Sequence, residues 1–234
     1  MTSARGPGGE VERQRSAAVR PRDAASVMLL DRQGGCVRVL MGKRHSAHVF
    51  MPDLYVFPGG RRDAGDHRIG FGSDLHPSVL HALKAAGTRE LTDARARALA
   101  LAALRELYEE AGIAVGQPAP SATAPVPFLP DLAKLRYMAR AITPPGHARR
   151  FDTRFFALFA DEAKIDPTRF LDSRELQDLQ WIDVNDSPSL RIPDITAIIL
   201  ADLRSSLDTD PSLPCEREVP LYAARRGRLV RTLL

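Results

Sequence analysis

The amino-acid sequence predicts a domain of the α/β or α+β class rather than a helical bundle. Short segments with the apolar patterning of β-strands are interspersed irregularly with segments of helical periodicity. The chain of 234 residues is long enough to bury a substantial core. Its 44% hydrophobic and 26% charged residues are ordinary values for a globular protein.

The first elements predict a hairpin. Residues 1–22 are polar and rich in glycine and arginine, which predicts a flexible arm ahead of a single domain over 23–234. Strands are predicted at 24–31 and 36–44, because the turn "DRQGG" between them supplies glycines where positive φ is needed. The stretch "LYVFPGG" (54–60) predicts a short strand that ends in a Pro-Gly-Gly turn.

An insert and a long helix follow this turn. The insert covers about residues 61–91 and contains a short helical patch at 77–87. Thr92 has the side chain of an N-cap, and Gly112 is the kind of residue that ends a helix. The sequence therefore predicts one long helix between these two positions.

The C-terminal half predicts a proline-rich irregular stretch, further strands and a last helix. The helix is expected at 193–207, where Pro193 lies near the start of a run with helical spacing. The end of the chain is ambiguous and is compatible with a closing pair of strands at 217–234. The remaining segments are the irregular stretch at 115–130 and strands at 135–142, 152–160 and 179–184.

Charge and cysteine content limit the function classes. The net charge of +4 and the pI of about 9.4 suit an anionic ligand, but the excess is too small and dispersed to predict nucleic-acid binding. Cys36 and Cys215 lie far apart and match no metal motif, so a reduced, cytoplasmic protein is expected. No apolar signal segment or membrane-length stretch is present, and the terminal "RTLL" is no peroxisomal address.

Three carboxylates at the end of the long helix are the strongest functional signal. At about 100° per residue, Glu106, Glu109 and Glu110 fall within an arc of roughly 100°. Apolar residues occupy another arc, which can pack against a sheet. A divalent cation such as Mg²⁺ or Mn²⁺ would relieve the repulsion among the carboxylates. A solvated acidic face is the alternative, and the adjacent Arg105 favours an organised site because a guanidinium can hold a carboxylate.

The stretch "RELYEEAGI" resembles the second half of the Nudix box, Gly-x5-Glu-x7-Arg-Glu-U-x-Glu-Glu-x-Gly-U, in which U is apolar. The matching residues are Arg105, Glu106, Leu107, Glu109, Glu110, Gly112 and Ile113. Together with the upstream "FPGG", this resemblance implies a Nudix-type α/β/α sandwich with a mixed β-sheet and a long insert before the catalytic helix. It also implies hydrolysis of a nucleoside diphosphate linked to a further moiety, dependent on Mg²⁺ or Mn²⁺.

The resemblance assigns roles to the residues of the helix. It implies metal ligation by Glu106, Glu109 and Glu110, with Glu109 and Glu110 as the principal pair. It implies catalytic roles for Arg105, as an orienting residue, and for Glu106 and Glu109. Glu175 matches an acid that precedes a tryptophan in Nudix proteins and is a candidate general base, with a surface carboxylate as the alternative.

The first half of the box is not found at its usual distance. Arg97 stands eight residues before Arg105, where a glutamate is expected, and Leu91 stands where the glycine is expected. On a continuous helix Arg97 points roughly opposite Glu106, so it cannot replace the acid. The long separation resembles a Nudix branch that includes the peroxisomal coenzyme A diphosphatases of animals and their bacterial relatives.

Substrate recognition is expected around the "FPGG" turn. Gly59 and Gly60 supply a backbone turn upstream of the helix, and Arg44 and Arg61 are candidates for phosphate contact, with a solvated loop as the alternative for Arg61. A second cationic group consists of Arg149, Arg150 and Arg154, the last of which has a core carboxylate as an alternative partner. His45 and His48 are not expected to bind a metal, because no third ligand is near.

The expected substrate is a small nucleoside-diphosphate derivative, and coenzyme A or an acyl-coenzyme A is the leading candidate. ADP-ribose or NADH is the alternative within the same chemistry. A non-catalytic Nudix-fold module that binds a nucleotide is a different class, disfavoured because all three glutamates are retained. No nucleic-acid or membrane partner is expected, and a homodimer is a further expectation from the resemblance.

Overall fold

A computed structural model describes residues 19–45, 53–85, 91–186 and 190–234. The helices are α1 (Pro77–Ala85), α2 (Asp93–Ala111) and α3 (Asp194–Thr209). The strands are β1 (Arg22–Asp31), β2 (Arg38–Arg44), β3 (Tyr55–Val56), β4 (Gly59–Arg61), β5 (Gly116–Pro118), β6 (Phe128–Pro130), β7 (Arg136–Ile142), β8 (Phe151–Phe159), β9 (Leu176–Asp183), β10 (Pro220–Arg225) and β11 (Arg228–Leu233).

The main sheet is mixed and runs in the order β11-β10-β7-β8-β1-β2-β3, with β4 paired to β1 and β9 paired to β2. The pairs β1–β8 and β10–β7 are parallel, whereas β1–β2, β7–β8 and β10–β11 are antiparallel. The short strands β5 and β6 form a separate antiparallel pair.

Helices cover both faces of the sheet. On one face α1 and α2 bury Val79, Leu83 and the apolar side of α2 against alternate residues of β1 such as Val27 and Leu29. On the other face α3 buries Ile199 and Leu203 against the intervening residues of β1 and β8. The predicted α/β/α sandwich with a mixed sheet is therefore confirmed.

Local signals in the sequence set several boundaries correctly. Thr92 caps α2, its side chain accepting a hydrogen bond from the backbone N–H of Arg95, and Gly112 ends the helix in the left-handed region at φ 72°. The β1–β2 turn contains Gly34 and Gly35, with φ of 78° and 82°. The closing pair of strands at the end of the chain is confirmed as β10 and β11.

Other elements differ from the prediction. Residues of the predicted Pro-Gly-Gly turn form β4, which pairs with β1 through Ala25↔Gly60 and Ser26↔Gly59. The stretch expected to be irregular contains β5 and β6. In both places glycine and proline weaken the strand pattern in sequence, and pairing with a neighbouring strand outweighs that preference.

Some predictions fall partly outside the described part of the chain. These are the N-terminal arm, of which only residues from 19 onward are described, His48, and the insert with its helical patch, of which residues 86–90 lie outside the described ranges. Within the described ranges, none of the helices has both the length and the hydrophobicity needed to cross a lipid bilayer.

Candidate active site

The last turns of α2 place their carboxylates against the turn that leads into β4. The backbone N–H of Gly59 donates a 2.7 Å hydrogen bond to Oε2 of Glu110, which is only 6% exposed. A Cβ added at Gly60 would lie 2.4 Å from the carboxylate carbon of Glu106. Gly60 is therefore required here because the Glu106 carboxylate approaches the β4 backbone too closely for a side chain, whereas at Gly59 a Cβ would meet β1, at the backbone oxygen of Ala25 and Cα of Ser26.

Arg105 connects the carboxylates to one another. Its Nη1 donates to Oε1 of Glu106 at 2.9 Å and to Oε2 of Glu109 at 2.8 Å. Its Nη2 donates to the backbone carbonyl of Arg61 at 3.1 Å. The guanidinium thus fixes the spacing of two carboxylates and ties them to β4, as expected for an orienting residue.

Asp66 completes this network and was not identified from the sequence. Its carboxylate accepts from Nε and Nη2 of Arg105 at 2.7 and 3.3 Å, and from the backbone N–H of Asp63 at 2.6 Å. The residue is 1% exposed. A buried carboxylate with a bidentate arginine and a backbone donor is a fixed part of the site.

The position of Asp66 corrects the interpretation of the missing half-box. Gly60 and Asp66 are separated by five residues, the spacing expected of the glycine and first acid of the Nudix box. The insert lies after this acid, so counting back from Arg105 along a continuous chain reaches unrelated residues. Arg97, found by that count, pairs instead with Asp74 of the insert at 2.7 and 2.8 Å.

Burial distinguishes the three glutamates of α2. The side chains of Glu106 and Glu109 are 12% and 52% exposed, respectively, and Glu110 is the most deeply buried. Burial raises the pKa of Glu106 to about 7 although Arg105 opposes the shift, and burial raises the pKa of Glu110 to about 8 against the Gly59 hydrogen bond. The predicted principal pair, Glu109 and Glu110, therefore consists of the most exposed and the most buried of the three.

Arg105 has the opposite behaviour. Burial alone would lower the pKa of its guanidinium, but the hydrogen bond to Asp66 and the charges of Glu106, Asp66 and Glu109 outweigh that effect and raise the pKa. The arginine is therefore a permanent cation.

The carboxylates open into a cleft of about 960 Å³, at the upper end of the size range of small-molecule sites. Arg44, Arg61 and Glu175 line it together with Gly59 and Gly60, so the structure brings the residues predicted around the "FPGG" turn and Glu175 to the same cleft as the carboxylates of α2. Arg61 also forms a surface ion pair with Asp63, with Nη2 2.8 Å from Oδ1. Glu175 comes directly before β9, and its charge contributes to the raised pKa of Glu106 and Glu110.

The second cationic group is divided. Arg149 lines the cleft, whereas Arg150 donates to the backbone carbonyls of Thr143 and Val19. Arg154 is 2% exposed and pairs with the carboxylates of Asp23 and Asp152, the alternative that the sequence left open. Only Arg149 of this group is available to a ligand in the cleft.

The chemical type of the donor atoms suits a hard divalent cation. The donor set consists of carboxylate oxygens, the ligands that Mg²⁺ and Mn²⁺ prefer, and the buried Glu110 lies close enough to Glu106 for the charge of Glu106 to add to the rise that burial causes in the pKa of Glu110. Among the described residues, however, no group of three His, Cys, Asp or Glu side chains is gathered tightly enough to form a complete site. Water and substrate oxygens would have to supply the remaining ligands.

No family model matches the chain. A curated relative, putative nudix hydrolase 7 of Caenorhabditis elegans, is 26% identical over 182 residues, which cover 69% of this chain and 51% of that protein. The chain thus spans about half the length of this relative.

Solved structures show the fold. The crystal structure of a NUDIX hydrolase from Alicyclobacillus acidocaldarius has a TM-score of 0.61 and 24% identity, and the match covers 83% of this chain and 94% of that one. The NUDIX domain of Shewanella oneidensis NrtR, solved with ADP ribose, is more distant at a TM-score of 0.48 and 14% identity over 81% of this chain and 90% of that one. The first similarity confirms a Nudix-type fold, and the second is too distant to indicate a ligand.

Proposed function

We propose that this chain, which has the fold of the Nudix hydrolases, is a Mg²⁺- or Mn²⁺-dependent hydrolase of a pyrophosphate bond in a nucleoside-diphosphate derivative. Coenzyme A or an acyl-coenzyme A is the proposed substrate. The names of the curated relative and of the solved structure with the higher TM-score both support the hydrolase class.

One observation carries the proposal. Arg105 donates hydrogen bonds to Asp66, Glu106 and Glu109. This network lies beside Gly59 and Gly60 of β4, at the wall of a large cleft. A solvated acidic face would need neither the buried Asp66 nor a glycine, Gly60, that leaves room for the Glu106 carboxylate. The arrangement is that of a preorganised site for a cation and a charged substrate.

Each residue has a physical task in this scheme. Glu106, Glu109 and Glu110 would hold the cation, and Arg105 would keep Glu106 and Glu109 at a fixed spacing. When bound, the cation neutralises pyrophosphate oxygens and promotes ionisation of the attacking water. Glu175 lines the cleft. Within the described part of the chain its carboxylate has no hydrogen-bond partner, so it is available to accept a proton from water.

Cationic side chains support an anionic substrate with more than one charged group. Arg44 lies near enough to Glu110 to influence its pKa and lines the same cleft. His147 and Arg149, in the loop between β7 and β8, line the cleft as well. Coenzyme A carries a further phosphate besides its pyrophosphate, which these residues could pair with, and the long insert resembles the coenzyme A branch.

The test is a product analysis with Mg²⁺ or Mn²⁺ on coenzyme A, acetyl-coenzyme A, ADP-ribose, NADH and a nucleoside triphosphate. Release of 4′-phosphopantetheine and 3′,5′-ADP from coenzyme A is the expected result. Cleavage of ADP-ribose or NADH alone would keep the reaction and replace the substrate. Cleavage of none, with ligand binding retained, would favour a non-catalytic module.

The same assay can compare substitutions in the site with a substitution of α2 outside the cleft. Glu109→Gln and Glu110→Gln should each lower turnover by orders of magnitude while the far-ultraviolet circular dichroism stays unchanged. Arg97→Ala is the matched control on the same helix, because Arg97 pairs with Asp74 outside the cleft. Full activity in both glutamine variants would contradict the assignment of the metal ligands.

A further inference from the structure

The cleft continues from the carboxylates onto the face of the sheet that α3 covers. There its wall is formed by Phe57, Phe155 and Tyr222, all of which belong to the hydrophobic cluster on the α3 side. The rings of Phe57 and Phe155 meet edge to face with centroids 6.4 Å apart. Ile192 and Ile195, before and within the first turn of α3, are only partly buried and line the same wall.

Leu229 of β11 extends this wall outward. In the β10–β11 ladder Tyr222 is opposite Arg231, and Arg231 donates to the tyrosine hydroxyl at 3.2 Å, so the two side chains lie on the same face. Leu229, two residues before Arg231, therefore lies on that face too. It lines the cleft and is 48% exposed.

A single exposed leucine is ordinary, but one that continues a buried apolar wall is a different observation. Leu233 gives the comparison, because it is on the same face of the same strand and is also 48% exposed, yet it does not line the cleft. Leu229 lines the same cleft as Tyr222 and Phe155, whereas Leu233 does not line it.

Two polar groups at this wall are committed within the protein. The Tyr222 hydroxyl donates to the carboxylate of Asp202, and Oγ of Ser26 donates to the backbone carbonyl of Pro58 at 2.9 Å. A polyhydroxylated sugar placed against this wall would lose hydrogen bonds to water and regain few. An aliphatic group would lose none and would remove apolar surface from water.

We propose that the wall formed by Phe57, Phe155, Ile195, Tyr222 and Leu229 is a subsite for an aliphatic chain at the end of the substrate remote from the pyrophosphate. Leu229 is the residue that sets how much of the aliphatic group is shielded from water. The inference rests on the proposed function for its reaction, and it selects acyl-coenzyme A over free coenzyme A and over ADP-ribose.

The kinetic test compares free coenzyme A, acetyl-coenzyme A and octanoyl-coenzyme A. In the unsubstituted protein kcat/KM for the octanoyl ester should exceed that for the acetyl ester at least tenfold, mainly through KM. Leu229→Asn should lower the octanoyl-to-acetyl ratio at least threefold, and Leu233→Asn should leave the ratio within twofold. Equal kcat/KM for the two esters, or equal effects of the two variants, would overturn the proposal.

A binding test separates this proposal from the proposed function. The probe is 8-anilinonaphthalene-1-sulfonate, displaced by octanoate in the absence of substrate and metal. The octanoate concentration that displaces half of the dye should be at least threefold lower for the unsubstituted protein and for Leu233→Asn than for Leu229→Asn. This result without any cleavage of coenzyme A, its esters, ADP-ribose, NADH or a nucleoside triphosphate would refute the proposed function and keep the aliphatic subsite. Equal displacement in all three proteins would refute the subsite.

Discussion

Gly60→Ala tests the site with one added methyl group. The new Cβ would lie 2.4 Å from Cδ and Oε1 of Glu106 and 2.6 Å from its Oε2. Ordinary van der Waals contact begins near 3.4 Å, so the carboxylate has to retreat by about 1 Å. That movement breaks the 2.9 Å hydrogen bond from Arg105 or drags the guanidinium along with it.

The expected effect is on activity rather than on folding. A displacement of about 1 Å at a reacting centre costs on the order of 10²-fold in rate. The three atoms nearest to a Cβ at Gly60 all belong to the Glu106 carboxylate, at the end of a flexible side chain, so the β4 backbone can stay in place. At Gly59, by contrast, a Cβ would meet the backbone oxygen of Ala25 at 2.5 Å, and substitution there would disturb the sheet.

Steady-state hydrolysis and Mn²⁺ titration measure the result. Gly60→Ala should lower kcat roughly 100-fold and weaken the metal dependence, with an unfolding midpoint close to that of the unsubstituted protein. Gly65→Ala is the matched control, because a Cβ there meets nothing within 4 Å and its backbone is helical at φ −76° and ψ −21°. Unchanged kcat and metal dependence in Gly60→Ala would show that the position of the Glu106 carboxylate does not matter for the reaction.

Two further predictions follow from buried ion pairs. Asp66→Asn should reduce kcat about 10- to 100-fold with little change in KM, because Arg105 loses its charged hydrogen-bond partner. Asp66→Glu should recover part of kcat. Equal kcat in the unsubstituted protein and both variants would contradict the positioning role of Asp66. Asp23→Asn should destabilise the protein at pH 7 by about 1–3 kcal/mol in urea unfolding, because the buried guanidinium of Arg154 loses one of its two charged partners and keeps Asp152. Burial raises the pKa of Asp23, but the hydrogen bond to Arg95 and the charges of Arg154 and Arg95 lower this pKa below 3.8 on balance. The stabilisation is therefore present above pH 3.8 and is lost as the pH falls through the lowered pKa. The difference between the unsubstituted protein and Asp23→Asn should therefore shrink at pH 3, and a difference that is constant from pH 7 to 3 would contradict the reasoning.

The sequence predicted those parts of the fold that depend on local signals. Thr92 and Gly112 mark the ends of α2 through backbone capping, and the apolar spacing between them specifies its buried side. These effects act within a few residues, so one chain segment contains all the information needed. The strand β4 depends instead on pairing with β1, and neither Gly59 nor Gly60 has a side chain that favours a strand.

The site was predictable in composition but not in its connections. Helical periodicity groups Glu106, Glu109 and Glu110, yet it cannot tell which of them β4 will cover, since that depends on how α2 packs. Asp66 was missed because its partner, Arg105, lies on another element beyond the insert. The useful signal was the spacing of Gly60 and Asp66, measured forward from the turn rather than backward from the helix.

The ion pair between Asp66 and Arg105 closes a long loop of chain within the site itself. The entropy of closing such a loop grows only with the logarithm of its length, about 0.6 kcal/mol for each doubling. A longer or shorter connection between Asp66 and α2 would therefore change the closure free energy little, while the two anchoring residues keep the carboxylates of α2 at a fixed spacing. Because α1 packs against α2 through Val79 and Leu83, away from the cleft, the length of this connection is largely independent of the geometry of the carboxylates.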